Sequence, residues 1–294
     1  MFASPEVQAW FEKGSYRNLN GHQLFCIDDG AQNLDTILII HGFPTSSFDF
    51  NAVWPKLANN YRLLCLDMLG FGFSDKPNRR RYTIHSQADL IEALIRNAGV
   101  KRYHIFAHDY GVTVAQELLA RQHEGSGQGQ ALSCCFLNGG LFPETHRSLI
   151  TQKLLLGPFG ALITKLYSNQ RRFGRSFSSV FGLNSKPSDA ELNNFWEIIN
   201  FKDGRHLLHN LITYIEDRRD YRSRWVKVLQ ESTLPLGLIN GSVDPVSGAH
   251  LVKRYQELGC RLDSLSELST IGHYPHCEAP DSVAEAYLNF VSSL

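Results

Sequence analysis

Five consecutive residues, Ala107-His108-Asp109-Tyr110-Gly111, constrain this chain more than any other stretch. They stand between a strand-like run, residues 103–107, and a segment that carries Val112, Val114, Ala115, Leu118 and Leu119 at helical spacing. A strand that turns at once into a helix needs small residues where the two backbones cross, and Ala107 and Gly111 supply them. The middle side chain is then pushed out above the sheet, and here it is a carboxylate, Asp109. An aspartate before a helix also serves as an ordinary N-cap, so the pentapeptide takes its meaning from what surrounds it.

The surroundings alternate. Residues 36–40, 61–67, 103–107 and 132–137 read as buried strands, and residues 84–98 place Ala88, Ile91, Ala93, Leu94 and Ile95 largely on one helical face. After Asn138 the alternation stops, and residues 141–229 become helix-rich, aromatic and basic. It resumes with a strand at 234–240, a helix at 246–258, a strand at 262–268 and a last helix at 282–291. This predicts an α/β fold with a mostly parallel central sheet flanked by helices, built from residues 1–140 and 230–294, with 141–229 inserted as a helical cap. A chain of 294 residues suits one such domain with an insertion. Residues 125–130, rich in Gly, Ser and Gln, follow a helix and precede a strand, which suits an exposed connection and not a phosphate cradle.

Lys plus Arg and Asp plus Glu both total 29, so no overall field attracts nucleic acid or anionic lipid, and a small, weakly charged substrate is expected. The basic clusters at 79–81, 171–175 and 218–224, the last interleaved with Glu216, Asp217 and Asp220, read as solvated helix faces without a ligand. Six cysteines show neither metal-ligand spacing nor a disulfide framework, which predicts reduced thiols and a cytoplasmic setting. The first residues lack a signal-like apolar run, and no stretch approaches the roughly 20 apolar residues of a membrane span. No cofactor and no metal site is expected, and oligomeric state is left open.

Three further loops follow predicted strands. His41-Gly42-Phe43-Pro44 comes after 36–40, Gly241-Ser242-Val243-Asp244-Pro245 after 234–240, and Gly272-His273-Tyr274-Pro275 after 262–268. Each alone is a turn. Together they give the chain order nucleophile, acid, histidine, with backbone N–H groups of Phe43 and Tyr110 placed as an oxyanion hole and His41, Gly42, Pro44 and His108 as its supporting loops.

On these motifs, and on the stretch from Asp67 to Pro77 with its Gly70 and Gly72, the chain resembles the α/β-hydrolase superfamily over nearly its whole length, in the aspartate-nucleophile branch of epoxide hydrolases and haloalkane dehalogenases. The resemblance implies that Asp109, ionised at neutral pH, attacks a saturated carbon to form an alkyl ester, which a water activated by His273 and Asp244 then hydrolyses. Dehalogenases of the branch hold halide with a Trp after the nucleophile and an Asn after His-Gly, where this chain has Tyr110 and Phe43; Trp54 or Trp196 is left to supply an indole. Fluoroacetate-type enzymes carry arginines just after the nucleophile, where this chain has Val112 and Thr113. Epoxide hydrolases share His-Gly-x-Pro and protonate the leaving oxygen with cap tyrosines; of Tyr167, Tyr214 and Tyr221, Tyr214 on the last predicted cap helix is favoured. Tyr110 departs from the Trp usual there as well. An epoxide-hydrolase-like activity on a small apolar substrate is therefore expected, with dehalogenation and a catalytically silent binding module as alternatives. An esterase is disfavoured, because Ser46 and Ser74 lie on other loops.

Overall fold

The computed structural model describes residues 2–78, 81–147, 150–157, 159–167 and 169–294, without the side chains of 151, 163 and 165–167. Eight strands form one sheet: β1 (Ser15–Leu19), β2 (His22–Asp29), β3 (Thr36–Ile40), β4 (Arg62–Leu66), β5 (Arg102–Ala107), β6 (Gln130–Leu137), β7 (Leu236–Gly241) and β8 (Ser264–Leu268), in the order β1-β2-β4-β3-β5-β6-β7-β8. From β4 through β8 every neighbouring pair is parallel, whereas β1 and β2 join as an antiparallel hairpin with β2 antiparallel to β4. The α/β class and the mostly parallel sheet are as expected. β3, β4 and β5 are buried almost along their whole length, as parallel strands covered on both faces must be.

The hairpin was not among the expected strands. β1 is a polar edge strand, buried only at Leu19, so it offers no apolar run to read. Its turn nevertheless has a sequence signal, since Asn20 and Gly21 both take positive φ, 50° and 85°, in the Asn-Gly pattern of a tight hairpin.

Helices cover the sheet. Ile84–Asn97 starts at a reciprocal Thr83/Ser86 cap and buries Ala88, Ile91, Leu94 and Ile95 beneath it. Pro280–Ser292 packs on β7 from the other side. Between β6 and β7 the described residues contain seven α-helices and no strand: Ile150–Leu156, Gly160–Tyr167, Gln170–Ser178, Asp189–Asn200, Leu208–Leu211, Tyr214–Asp220 and Arg222–Glu231. Among the described residues no helix is long and apolar enough to cross a membrane.

The end of that insertion is tied to the core by a buried carboxylate. Glu117, on the helix Tyr110–His123, accepts from Arg121 Nε at 2.8 Å, from Trp225 Nε1 at 2.8 Å and from Arg224, the last two on Arg222–Glu231. Burial would raise its pKa, but these donors outweigh burial and hold it below the ordinary value. Removing one partner of such a set strands the others, so Glu117→Ala is expected to destabilise the fold by about 3–5 kcal/mol, read from the urea midpoint; a change within about 0.5 kcal/mol contradicts this account.

Candidate active site

β5 ends at Ala107, and two residues later Asp109 lies at φ 44° and ψ −105°, a conformation that costs a non-glycine residue about 1–3 kcal/mol. The turn is held from both sides, by Asp109 N–H donating to the Asn138 carbonyl at 2.8 Å and Gly111 N–H donating to the His108 carbonyl at 2.7 Å. A side chain at Gly111 would stand 2.4 Å from the Ile40 carbonyl, and one at Gly42 would stand 2.7 Å from His108 Nδ1. Close approach of the His41–Pro44 loop to the Asp109 turn thus requires both glycines.

The expected acid, histidine and aspartate come together. His273 Nδ1 lies 2.7 Å from Asp244 Oδ2, and its Nε2 points at Asp109 Oδ1 across 3.7 Å. Asp244 is saturated: Val246 N–H donates to Oδ1, and Ser247 N–H, Ser247 Oγ and Asn138 Nδ2 donate to Oδ2. Burial would raise its pKa, yet the His273 charge and these donors bring it down to about 2. For His273, burial works against protonation, but the charge and hydrogen bond of Asp244, followed by the charge of Asp109, raise it to about 9. Asp109 is 4% exposed.

Phe43 N–H donates to Asp109 Oδ2 at 3.0 Å, where an oxyanion donor was expected, and the Phe43–Pro44 peptide is cis. Tyr110 stands at the start of its helix, where the N–H has no intrahelical acceptor; among the described residues it makes no bond to Asp109. His41 Nδ1 bonds the Gly42 carbonyl and its Nε2 accepts from Met68 N–H at 2.9 Å, which fixes the loop to the stretch after β4. Asp67, fully buried there, accepts from Ser47 N–H and Phe73 N–H. His108 Nε2 bonds the His273 carbonyl at 2.8 Å, and burial followed by the nearby His273 charge lowers its pKa to about 3, so it stays neutral. Ser74 Oγ is committed to the Asp67 carbonyl and Ser46 caps the turn Ser47–Phe50, so neither approaches the site.

Above Asp109 lies a cavity of about 480 Å³ lined mainly by apolar side chains, among them Phe43, Leu155, Phe173, Phe177, Leu208 and Val246, with His273 and Asp109 in its wall. The aromatics of the insertion divide: Phe173 and Phe177 line this space, Phe195 and Phe181 pack behind them, and Phe159 faces water. Trp196 lines the cavity, whereas Trp54 donates its indole N–H to Asp29. Tyr214 is fully buried with its ring beside Tyr110 (4.4 Å) and Phe43 (6.3 Å), and its hydroxyl has no partner among the described residues. Burial and then the Asp109 charge push its pKa upward, so it keeps its proton. Tyr221 instead packs with tilted rings against His85 and Trp225, and the side chain of Tyr167 lies outside the described residues.

The solvated-face expectation fails at Arg218. It is 1% exposed, donates from Nε to Thr113 Oγ1 at 2.7 Å and from Nη2 to the Asp109 carbonyl at 3.4 Å, and lies over the Tyr214 ring at 4.5 Å. Among the described residues it forms no ion pair with a carboxylate; the adjacent Asp217 is taken by Arg81 and Ile84 N–H. Its position in a run of alternating charges gave no hint of burial. Of the other two basic clusters, Arg171, Arg172 and Arg175 are exposed as expected, as is Arg81, while residues 79 and 80 lie outside the described residues. His146 was also missed. Both its ring nitrogens are buried without partners, and burial followed by the Arg218 charge lowers its pKa to about 4. One metal-capable group exists among the described residues, Asp49 with His108 and His276, whose ligand atoms lie within 4.8 Å of one another; three ligands fall short of a closed zinc site, and no metal is assigned.

Residues 35–280 match the model of the alpha/beta hydrolase fold family. The human mesoderm-specific transcript homolog protein is 38% identical over 300 residues, covering 99% of this chain and 89% of that protein. A putative hydrolase, LipZ, of Mycobacterium tuberculosis is 34% identical over 291 residues, covering 98% and 99%. Among solved structures, a loop variant of the haloalkane dehalogenase DbeA from Bradyrhizobium elkanii superposes with a TM-score of 0.79 at 19% identity, over 95% of this chain and 96% of that one.

Because the folded state raises the His273 pKa, the stability it contributes is complete below the ordinary value of 6.5 and is lost as pH rises through about 9. Unfolding free energy is therefore expected to fall between about pH 6.5 and 9 in the native sequence, and to flatten in His273→Gln. An imidazole NMR titration placing His273 at or below 6.5 would contradict this.

Proposed function

The chain belongs to the alpha/beta hydrolase fold family, and from that premise we propose that it is a hydrolase with Asp109 as nucleophile, opening epoxides on small, largely apolar substrates. One observation carries the reading: the side chain at the strained turn is a carboxylate, held by Phe43 N–H on one oxygen and open to His273 and an apolar cavity on the other. A hydroxyl nucleophile there would need its proton removed, whereas a carboxylate is already ionised at neutral pH and suits displacement at saturated carbon.

In the first step an Asp109 oxygen bonds to an oxirane carbon, the ring C–O bond breaks, and its electron pair goes to oxygen, which takes a proton from Tyr214. Burial keeps that phenol protonated until it is needed. In the second, His273 takes a proton from water, the hydroxide adds to the ester carbonyl carbon, and Phe43 N–H, joined by Tyr110 N–H, holds the oxyanion; the carbonyl then re-forms as the ester's alkyl C–O bond breaks, and the departing alkoxide takes the proton of the new acid, so that diol and carboxylate result. The 3.7 Å between His273 and Asp109 suits a water approaching between them.

With its pKa raised to about 9, His273 carries a proton at rest; once the ester has formed, that proton passes to the Tyr214 phenolate left by the first step, which restores the phenol and leaves a neutral imidazole to act as the base. Esterification removes the negative charge of Asp109, one of the charges holding the proton on His273. Arg218, buried against the Asp109 carbonyl, adds a positive charge that opposes the imidazolium once that balance is gone. In this reading residues 141–229 act as a cap that supplies the far wall of the cavity, while Tyr214 and Arg218, which do not line it, are packed against Tyr110 and the Asp109 backbone. Dehalogenation is the second reading, favoured by Trp196 in the cavity wall, where an indole N–H can meet a halide. A silent binding module has no use for the complete arrangement of Asp109, Asp244 and His273.

With His273→Gln blocking the second step, brief incubation with a panel of epoxides and haloalkanes should leave a covalent adduct that peptide mass spectrometry maps to Asp109, absent when Asp109→Asn is added. An adduct from haloalkanes alone moves the reading to dehalogenation, and none from either class refutes the nucleophile. Tyr214→Phe should slow adduct formation from epoxides by roughly 10²–10⁴-fold and leave a haloalkane reaction unchanged. Arg218→Met should slow ester hydrolysis at neutral pH more than ester formation; equal slowing of both steps would reduce Arg218 to a structural role.

A further inference from the structure

The balanced total charge hides a one-sided segment. Between Glu144 and Asp189 there is no Asp or Glu, while Arg147, Lys153, Lys165, Arg171, Arg172, Arg175 and Lys186 supply seven cations. All of these except Lys165, whose side chain is not described, are exposed. The same segment turns large apolar side chains to water: Ile150 is 77% exposed, Leu154 49%, Phe159 67% and Leu162 52%. Ile150 and Leu154 lie one turn apart on one side of the helix Ile150–Leu156. Phe159 and Leu162 stand at the start of Gly160–Tyr167, which packs against that helix, so the four belong to one helical pair.

This pair is also the outer wall of the cavity. Leu154 lines it while remaining half exposed, and Leu155, Thr164, Arg172 and Phe173 continue the lining. Exposed apolar groups of this size mark a contact surface, and their combination with cations is the composition of a helix that lies in a membrane interface. A nucleic acid would satisfy the cations and leave the apolar side chains in water. Since no described helix is long enough to span, the contact is with the surface of a bilayer.

We propose that this face of the insertion docks on an anionic phospholipid surface, seating Ile150, Leu154, Phe159 and Leu162 at the boundary of headgroups and acyl chains and setting the surrounding cations against lipid phosphates. The cavity then lies against the bilayer, and a lipophilic substrate reaches it without crossing water. The proposal concerns where the protein works and holds whatever bond Asp109 attacks.

Flotation of the full chain with vesicles of phosphatidylcholine alone, or with about 30% phosphatidylserine, tests it. The native sequence should partition at least tenfold more strongly onto the anionic vesicles, with partial release by salt. Phe159→Glu with Leu162→Glu should cut that binding about tenfold or more, as should Lys153→Gln with Arg171→Gln and Arg175→Gln, with circular dichroism melting unchanged in each. Absence of binding to the anionic vesicles overturns the proposal. So does binding that falls with the Gln set but ignores the Glu pair, which would assign the face to a soluble polyanion.

Discussion

Two carboxylates and an imidazolium share a space from which water is nearly excluded, and much of the site exists to keep that combination in balance. Asp109, Asp244 and His273 are 4%, 3% and 5% exposed. Chemically identical side chains are given opposite characters by their surroundings. Asp244 accepts from backbone and side-chain donors on both oxygens, four of them on Oδ2, which holds it as a negative charge. Among the described residues the Asp109 carboxylate accepts one hydrogen bond, from Phe43 N–H on Oδ2, while Oδ1 faces His273 and the residue lines the cavity. The environment, not the residue type, sets the two carboxylates apart.

The sheet makes this meeting possible. The His41–Pro44 loop, Asp109, Asn138, Asp244 and His273 follow β3, β5, β6, β7 and β8, so the parallel run delivers all five to the same edge, the carboxyl end where ligands of open α/β sheets bind. Neighbouring loops then support one another: Asn138 alone bonds the Gly241 backbone in both directions and reaches Asp244. These five lie between residues 41 and 273, far apart in sequence, yet the strand register leaves them little freedom in space.

That regularity explains what was legible. Short apolar runs with polar loops between them revealed six strands, and the loops showed Asp109, Asp244, His273 and the Phe43 turn because each has a distinctive local composition. Features that depend on the partner element stayed hidden. Arg218 reads as one more charge in a charged helix, and only the packing of Tyr214–Asp220 against the Asp109 turn shows it to be buried. Asn138 and His146 carry no spacing signal at all. The first hairpin was hidden for the opposite reason: its Asn20-Gly21 signal was present, but β1 has almost no apolar face to draw attention to it. Net charge likewise hides local asymmetry, since a total of zero says nothing about a 44-residue stretch with no acid in it.

Arg218 also links the two halves of the molecule. A guanidinium without a carboxylate partner is costly to bury, and here its hydrogen bonds go to Thr113 and to the Asp109 backbone, with an aromatic ring beneath it. Neutralising Asp109 would remove one of the charges that hold the proton on His273 while Arg218 stays charged, and of these two cations the imidazolium is the one able to shed a proton. Because Arg218 belongs to the insertion and Asp109 to the sheet, that balance holds only while the two are packed together.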